Sequence, residues 1–244
     1  MLKPKGTITG CDLRLDIYNA QLAGTVTTDR GVLHIRHLVH YHDHAIFTEI
    51  TTSGDESDLS WQWHPDAATT GRGGSPAAKG YGSRYAPYKT AKNPEPARAV
   101  RDGADLCIQN LSAGGQYATA WKCTTLGANR HAHVVTIANT YPEATAAEEA
   151  LAGIRRATAG IHDSLKTWIA SHQAWWHDYY PASFVTFPET TSRTFYWNNV
   201  YRLACCTRPD AKYIDTPGMW SSRGPWPYST HDSVSYTHLR AHET

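Results

Sequence analysis

The sequence has no run of roughly 18 apolar residues, the minimum a membrane-spanning helix needs. Its opening, Met1-Leu2-Lys3-Pro4-Lys5-Gly6, has no apolar stretch behind the lysines, so neither a spanning helix nor a signal peptide is expected. An excess of one charge is missing too. The 23 Lys and Arg against 22 Asp and Glu leave a formal net charge of +1, which argues against a nucleic-acid partner. The five cysteines (Cys11, Cys107, Cys123, Cys205, Cys206) are odd in number, lack C-x-x-C spacing and include an adjacent pair ill suited to chelate one zinc. Cys205 and Cys206 are read as structural. G-x-G-x-x-G, Walker, G-x-S-x-G and H-E-x-x-H motifs are absent, and Gly71-Arg72-Gly73-Gly74 lacks a following helix to aim amides at a phosphate. Nucleotide chemistry and zinc proteolysis drop out. Phe is scarce, at 4 against 9 Trp and 14 Tyr, so the rings mostly carry a polar handle and suit wet, polar ligands.

What remains is an ordinary globular composition, 41% hydrophobic with 18 glycines, long enough for one large domain or one and a fraction. From Gly6 to Thr51 apolar and polar residues alternate, as in Leu13, Leu15 and Ile17 against Arg14, Asp16 and Tyr18. That period predicts half-buried strands. Asp29-Arg30-Gly31 lies between Thr25–Thr28 and Val32–Val39 and predicts a hairpin turn. Further strands are expected over Ala45–Thr51, Asp105–Leu111, Gln116–Thr124 and His131–Thr140, giving a sandwich of antiparallel sheets. Between Trp61 and Arg101 no clear period is found.

After Tyr141-Pro142 the period changes. Thr145 with Glu148 three residues on reads as a capping box that starts a helix. Leu165, Trp168, Ile169, His172, Trp175, Trp176 and Tyr179 then recur at steps of three and four, an amphipathic helix with an aromatic stripe that stops before Pro181. Pro188 and Glu189 open a further helix through Phe195, Tyr196, Val200 and Leu203, ending before Pro209. Asp178 and Glu189 are read as helix-terminus residues. Strands followed by helices indicate two domains, with the boundary near Thr140–Ala144.

Two clusters invite a binding reading. Trp61 and Trp63 share one face of an extended segment and could stack on a flat ligand, alone or with Tyr81, Tyr85 and Tyr88; alternatively the two indoles cap the edge of the sheet. His40, His42 and His44 would share a face if extended, a geometry able to hold zinc or copper, whereas a polar hairpin turn explains them more simply. No metal or other cofactor is expected.

The richest stretch runs from Trp175-Trp176-His177-Asp178-Tyr179-Tyr180-Pro181 through Phe195-Tyr196-Trp197-Asn198-Asn199 and Thr207-Arg208-Pro209. It continues to Gly218-Met219-Trp220 and Gly224-Pro225-Trp226-Pro227-Tyr228-Ser229-Thr230-His231-Asp232. This resembles the entrance to the catalytic (α/α)6 barrel of glycoside hydrolase family 95, the α-L-fucosidase type. Leu15-Asp16-Ile17-Tyr18-Asn19-Ala20 and Leu38-Val39-His40 resemble the β-sandwich that precedes that barrel.

The resemblance implies an α+β multidomain chain: a β-sandwich over 1–142, a helical linker over 143–174 and the start of a truncated barrel over 175–234. Residues 235–244 resemble a translated assembly artefact known from metagenomic reading frames and are set aside. It also implies inverting hydrolysis of O-glycosyl bonds in glycans, with an oligosaccharide or polysaccharide as partner and neither nucleic acid nor membrane. Inversion needs two functional groups on opposite sides of the scissile bond with water between. Asp232 falls where the family's water-positioning Asn-x-Asn begins, Trp220 and Trp226 would line the sugar pocket or pack the barrel floor, and His231 would donate to a sugar hydroxyl. The general acid has no counterpart in this chain, so the chain alone is expected to be inactive. By the same analogy the protein would be secreted or periplasmic. The alternative from another class is a non-catalytic carbohydrate-binding or interaction module.

Overall fold

The computed structural model describes residues 1–56, 59–64 and 93–206. These fall in two compact units, the first reaching Phe184 and the second starting at Val185. The class is mixed α+β, strands first and helices after.

In chain order the strands are β1 (Leu2–Lys3), β2 (Ile8–Asp16), β3 (Gln21–Thr28), β4 (Gly31–Val39), β5 (Ile46–Gly54), β6 (Ser60–Trp61), β7 (Ala97–Arg101), β8 (Ala104–Asn110), β9 (Gln116–Gly127) and β10 (Arg130–Thr140). Eight of them form one antiparallel sheet in the order β2-β3-β4-β5-β10-β9-β8-β7, and β1 pairs with β6. Two four-strand meanders therefore meet where β5 lies against β10. Asp29 and Arg30 make the expected turn, with the Thr28 hydroxyl accepting from the Arg30 and Gly31 amides, both at 3.1 Å. Strand β7 lies in the stretch where the sequence showed no period. Its turn into β8 is Asp102-Gly103 at φ 54° and 69°, the left-handed pair that a tight hairpin requires.

Side chains alternate across a strand, so the sheet has two distinct faces. One carries Phe47, Leu106, Ala118, Ala120, Ala132 and Val134, which form a single core with residues of α1 (Ala146–Thr158) and α2 (Ile161–Tyr179). The contact between α1 and the sheet is made by small groups. A Cβ on Gly153 would stand 3.1 Å from Thr136 Cγ2, and the Thr136 hydroxyl donates to the Ala150 carbonyl at 2.7 Å. Outside this core, Arg101 pairs with Glu148 at 2.7 Å, and Arg155 donates twice to Asp102. The residues expected as a linker thus supply α1 and much of α2, both packed on the sheet.

The opposite face carries Cys107, Trp121 and Val135, with Ile46 and Trp63 against them. Trp61, on the β1–β6 strip, stacks on His133 of β10. The layering is sandwich-like: helices, an eight-stranded sheet and a narrow strip of strand.

Helix α1 starts at Ala146 as expected, but not by a capping box. The Thr145 side chain makes no cap hydrogen bond, and Glu148 is turned to Arg101. The buried Gln116 of β9 supplies the acceptor instead, its Oε1 taking the Ala147 amide at 2.9 Å while its Nε2 donates to Asn110. In the second unit, α3 (Thr190–Cys206) is capped by Glu189, whose carboxylate accepts from the amides of Thr191 at 2.8 Å and Ser192 at 2.6 Å. The Ser192 amide, then the Thr191 and Ser192 hydroxyls and the Thr191 amide, hold its pKa down to about 2. Glu189 is a cap, as its position suggested.

Candidate functional site

Among the described residues, a dense polar-aromatic cluster lies where α2 crosses the tips of two hairpins. Helical spacing sets Trp168, His172, Trp175, Trp176 and Tyr179 along one side of α2. The β4–β5 turn brings His40, Tyr41 and Asp43 against them, and the β2–β3 turn brings Tyr18, Asn19 and Ala20.

Both central histidines are buried, His40 to 1% exposure and His172 to 0%. His172 Nδ1 accepts the Tyr41 amide at 3.1 Å, so the proton sits on Nε2, which donates to the Ala20 carbonyl at 3.2 Å. His40 follows the same rule: Nδ1 accepts the Asp43 amide and Nε2 donates to the Trp168 carbonyl at 3.0 Å. The Trp168 indole N–H closes the loop on the Asp43 carboxylate. Each imidazole therefore ties a hairpin to the helix, or a hairpin turn to itself and the helix.

Stacking adds to this. The His40 and Trp168 rings lie 4.0 Å apart at 7°, Tyr41 and Trp175 3.5 Å apart at 13°, and Trp175 and Tyr179 5.1 Å apart at 14°. Tyr18 stacks on His177 at 4.0 Å, and His177 Nε2 meets Asn19 Oδ1 at 2.9 Å. The Asn19 amide is fixed by Asp16, whose carboxylate also caps the turn through the amides of Tyr18 and Asn19. Tyr41, Trp175 and Tyr179 are thus half-buried rings stacked on one another, with Trp175 in the middle.

A second cluster lies on the far face of the sheet. The Trp61 and His133 rings are parallel at 3.8 Å and 6°, and Trp63 stacks on Trp121 at 4.9 Å and 16°. His133 Nε2 and Trp63 Nε1 are buried, and among the described residues neither has a hydrogen-bond partner. Burial, helped by the N-terminal ammonium, pushes the His133 pKa down to about 4, so the ring is neutral at pH 7. By the β3–β4 turn, Glu56 is fully buried and accepts from the Lys5 and Gly6 amides, both at 2.8 Å, and from the Thr28 hydroxyl. Burial alone would raise its pKa, but the Thr28 hydroxyl and those two amides outweigh it and lower it.

The His40 and His42 rings stand 5.9 Å apart, but the turn gives the three histidines suspected of metal binding no common face. Only His40 is buried and faces α2, His42 and His44 are exposed, and His44 is left-handed at φ 52°. Among the described residues no group of three His, Cys, Asp or Glu side chains is placed to hold a metal. Trp61 and Trp63 come together with the sheet rather than forming a free platform. Tyr81, Tyr85, Tyr88, Trp220, Trp226, His231 and Asp232 lie outside the described residues. No family model matches the chain, and no curated protein matches it. Among the described residues no helix is long and apolar enough to cross a membrane.

Sequence reasoning missed the partners of the α2 stripe. His172 had been placed on the buried side, but Tyr41, Asn19 and Ala20 lie more than a hundred residues away in the chain. No local period marks them. His133 sat on a recognised strand, and the missing signal was the ring that covers it.

Proposed function

We propose that the chain is the strand-rich and linker portion, with the entrance to the helical portion, of an inverting α-glycosidase resembling glycoside hydrolase family 95. The observation that supports this reading best is the way α2 is held. A helix rich in Trp and Tyr follows the sheet, is fastened to two hairpin tips by His40 and His172, and leaves the unit through the short 3-10 turn Tyr180–Ala182. A helical catalytic portion following such a helix would start from a fixed exit, and fixed starting points favour the sub-ångström placement that catalysis needs.

In this reading Asp232 positions the attacking water, Trp220 and Trp226 present ring faces to a pyranose and His231 donates to a hydroxyl. The substrate is an α-fucosyl or related residue of a glycan, no metal takes part, and the place of action is outside the cytoplasm. The sandwich and barrel of the family belong to the same proposal.

The test is hydrolysis of an aryl α-L-fucoside by this chain alone and by the longer product that the proposal calls for. The longer product should be active, and Trp226→Ala in it should raise KM or abolish turnover. In this reading the general acid has no counterpart in the 244 residues, so this chain alone should be inert. Turnover by the short chain, or an inert long product, defeats the reading.

A further inference from the structure

Strand β2 is an edge of the eight-stranded sheet: β3 pairs with it on one side, and among the described residues nothing pairs with the other. Such an edge offers a row of unused amides and carbonyls to any strand that can match it. Natural edges commonly carry charges that repel a second copy. Those of β2 do not repel one in every register. Its register slips between Ile8 and Gly10, which leaves Gly10–Asp16 as the regular part of the edge, with Leu13 at its centre.

An antiparallel pair of identical strands related by a two-fold axis places residue i opposite residue j with a constant sum, and faces match only if the axis passes through a residue. An axis at Leu13 sets Asp12 opposite Arg14 of the copy and Arg14 opposite Asp12 of the copy. On the other face it sets Leu13 against its own copy and Cys11 against Leu15. An axis at Asp12 or at Arg14 would instead oppose like charges, and one at Cys11 would use neither charge pair. The Leu13 register is the one that uses the whole regular edge and satisfies both charges.

The side chains are available. Asp12 and Arg14 are 75% and 87% exposed and already lie 3.8 Å apart, and Leu15 is 52% exposed. We propose that β2 is a self-association edge, through which two copies of this chain join their sheets across a two-fold axis at Leu13. Backbone pairing and the leucines supply the attraction, and the Asp12–Arg14 pairs fix the register, since opposed unlike charges stabilise and like charges destabilise a cross-strand pair.

The experiment is light scattering and sedimentation velocity of the whole chain from low to high micromolar concentration, with folding followed by circular dichroism. The wild-type chain should move from 27.1 kDa to twice that mass as concentration rises. Arg14→Asp, which makes every cross-strand charge contact repulsive, should weaken the dimer by about tenfold or more. Adding Asp12→Arg to it restores the complementary pattern and should recover the dimer. Leu13→Cys in a Cys11→Ser background should form a disulfide dimer on mild oxidation, because opposed cross-strand Cα atoms lie within bridging range. A wild-type chain that stays monomeric overturns the proposal. So does an Arg14→Asp dimer of unchanged strength, a folded double variant that fails to recover, or a wild-type disulfide through Cys11, which reports the other register.

Discussion

Acid should destabilise this protein through His133. The ring is 9% exposed, stacked on Trp61 and, among the described residues, without a partner at Nε2, and burial holds its pKa near 4 against an ordinary 6.5. Its folded pKa is depressed, so the folded state binds fewer protons than the unfolded chain between those values. The stability it contributes is complete above pH 6.5 and is lost as pH falls toward 4. With one pKa unit worth 1.36 kcal/mol, the loss is about 2 kcal/mol by pH 5 and about 3 kcal/mol by pH 4. His133→Phe keeps a flat ring over Trp61 and removes the titration. Urea melts at pH 7 and pH 5 should show wild type losing about 2 kcal/mol more than the variant. His37, whose pKa burial also lowers, leaves a residual slope in both. Equal losses in the two proteins would refute the argument that His133 is held neutral by burial.

Other expectations follow from single contacts. Gly153→Leu should overpack the α1–sheet contact at Thr136 and cost about 1–3 kcal/mol or more, read as a lower urea midpoint. His172→Ala removes the acceptor of the Tyr41 amide and the donor to Ala20 from a fully buried site, and should cost about 2–4 kcal/mol while raising hydrogen exchange at the β4–β5 turn. Glu56→Gln turns one of two accepting oxygens into a donor facing the Lys5 and Gly6 amides and should cost about 1–3 kcal/mol. The Glu56 contribution is present above its ordinary 4.5 and disappears as pH falls through its lowered folded pKa, so wild type and variant should converge in strong acid. Gln116→Leu should destabilise the fold by the worth of a helix cap, about 1 kcal/mol, read as a lower urea midpoint.

Periodicity made most of the strands and all three helices legible, because alternation and 3.6-residue spacing are local consequences of burying one face. The Asp29-Arg30 turn and the Glu189 cap were legible for the same local reason. Long-range substitutions were not. Thr145 and Glu148 have the form of a capping box, yet Gln116 from another strand does the capping and Arg101 takes the glutamate. The Trp61-Gln62-Trp63 alternation left a ligand platform and a cap on the sheet both open, the cap being the simpler, and the pairing of β6 with β1 and the stack on His133 show the indoles covering the sheet. Strand β7 was missed although Asp102-Gly103 announced its hairpin, since a short strand at the end of a long aperiodic stretch has little pattern of its own. In the candidate site the helix side of the cluster could be read from the α2 stripe. The hairpin side, Tyr18, Asn19, Ala20, Tyr41 and Asp43, is assembled by the sheet and leaves no trace in the spacing.

The most direct measurement of the functional proposal is the anomeric configuration of the sugar first released when the longer product cleaves an aryl α-L-fucoside, followed by proton NMR before mutarotation. The proposal predicts that β-fucose appears first, because water attacks from the face opposite the leaving group. First appearance of α-fucose would mean a covalent intermediate and a different arrangement of carboxylates, and would contradict it.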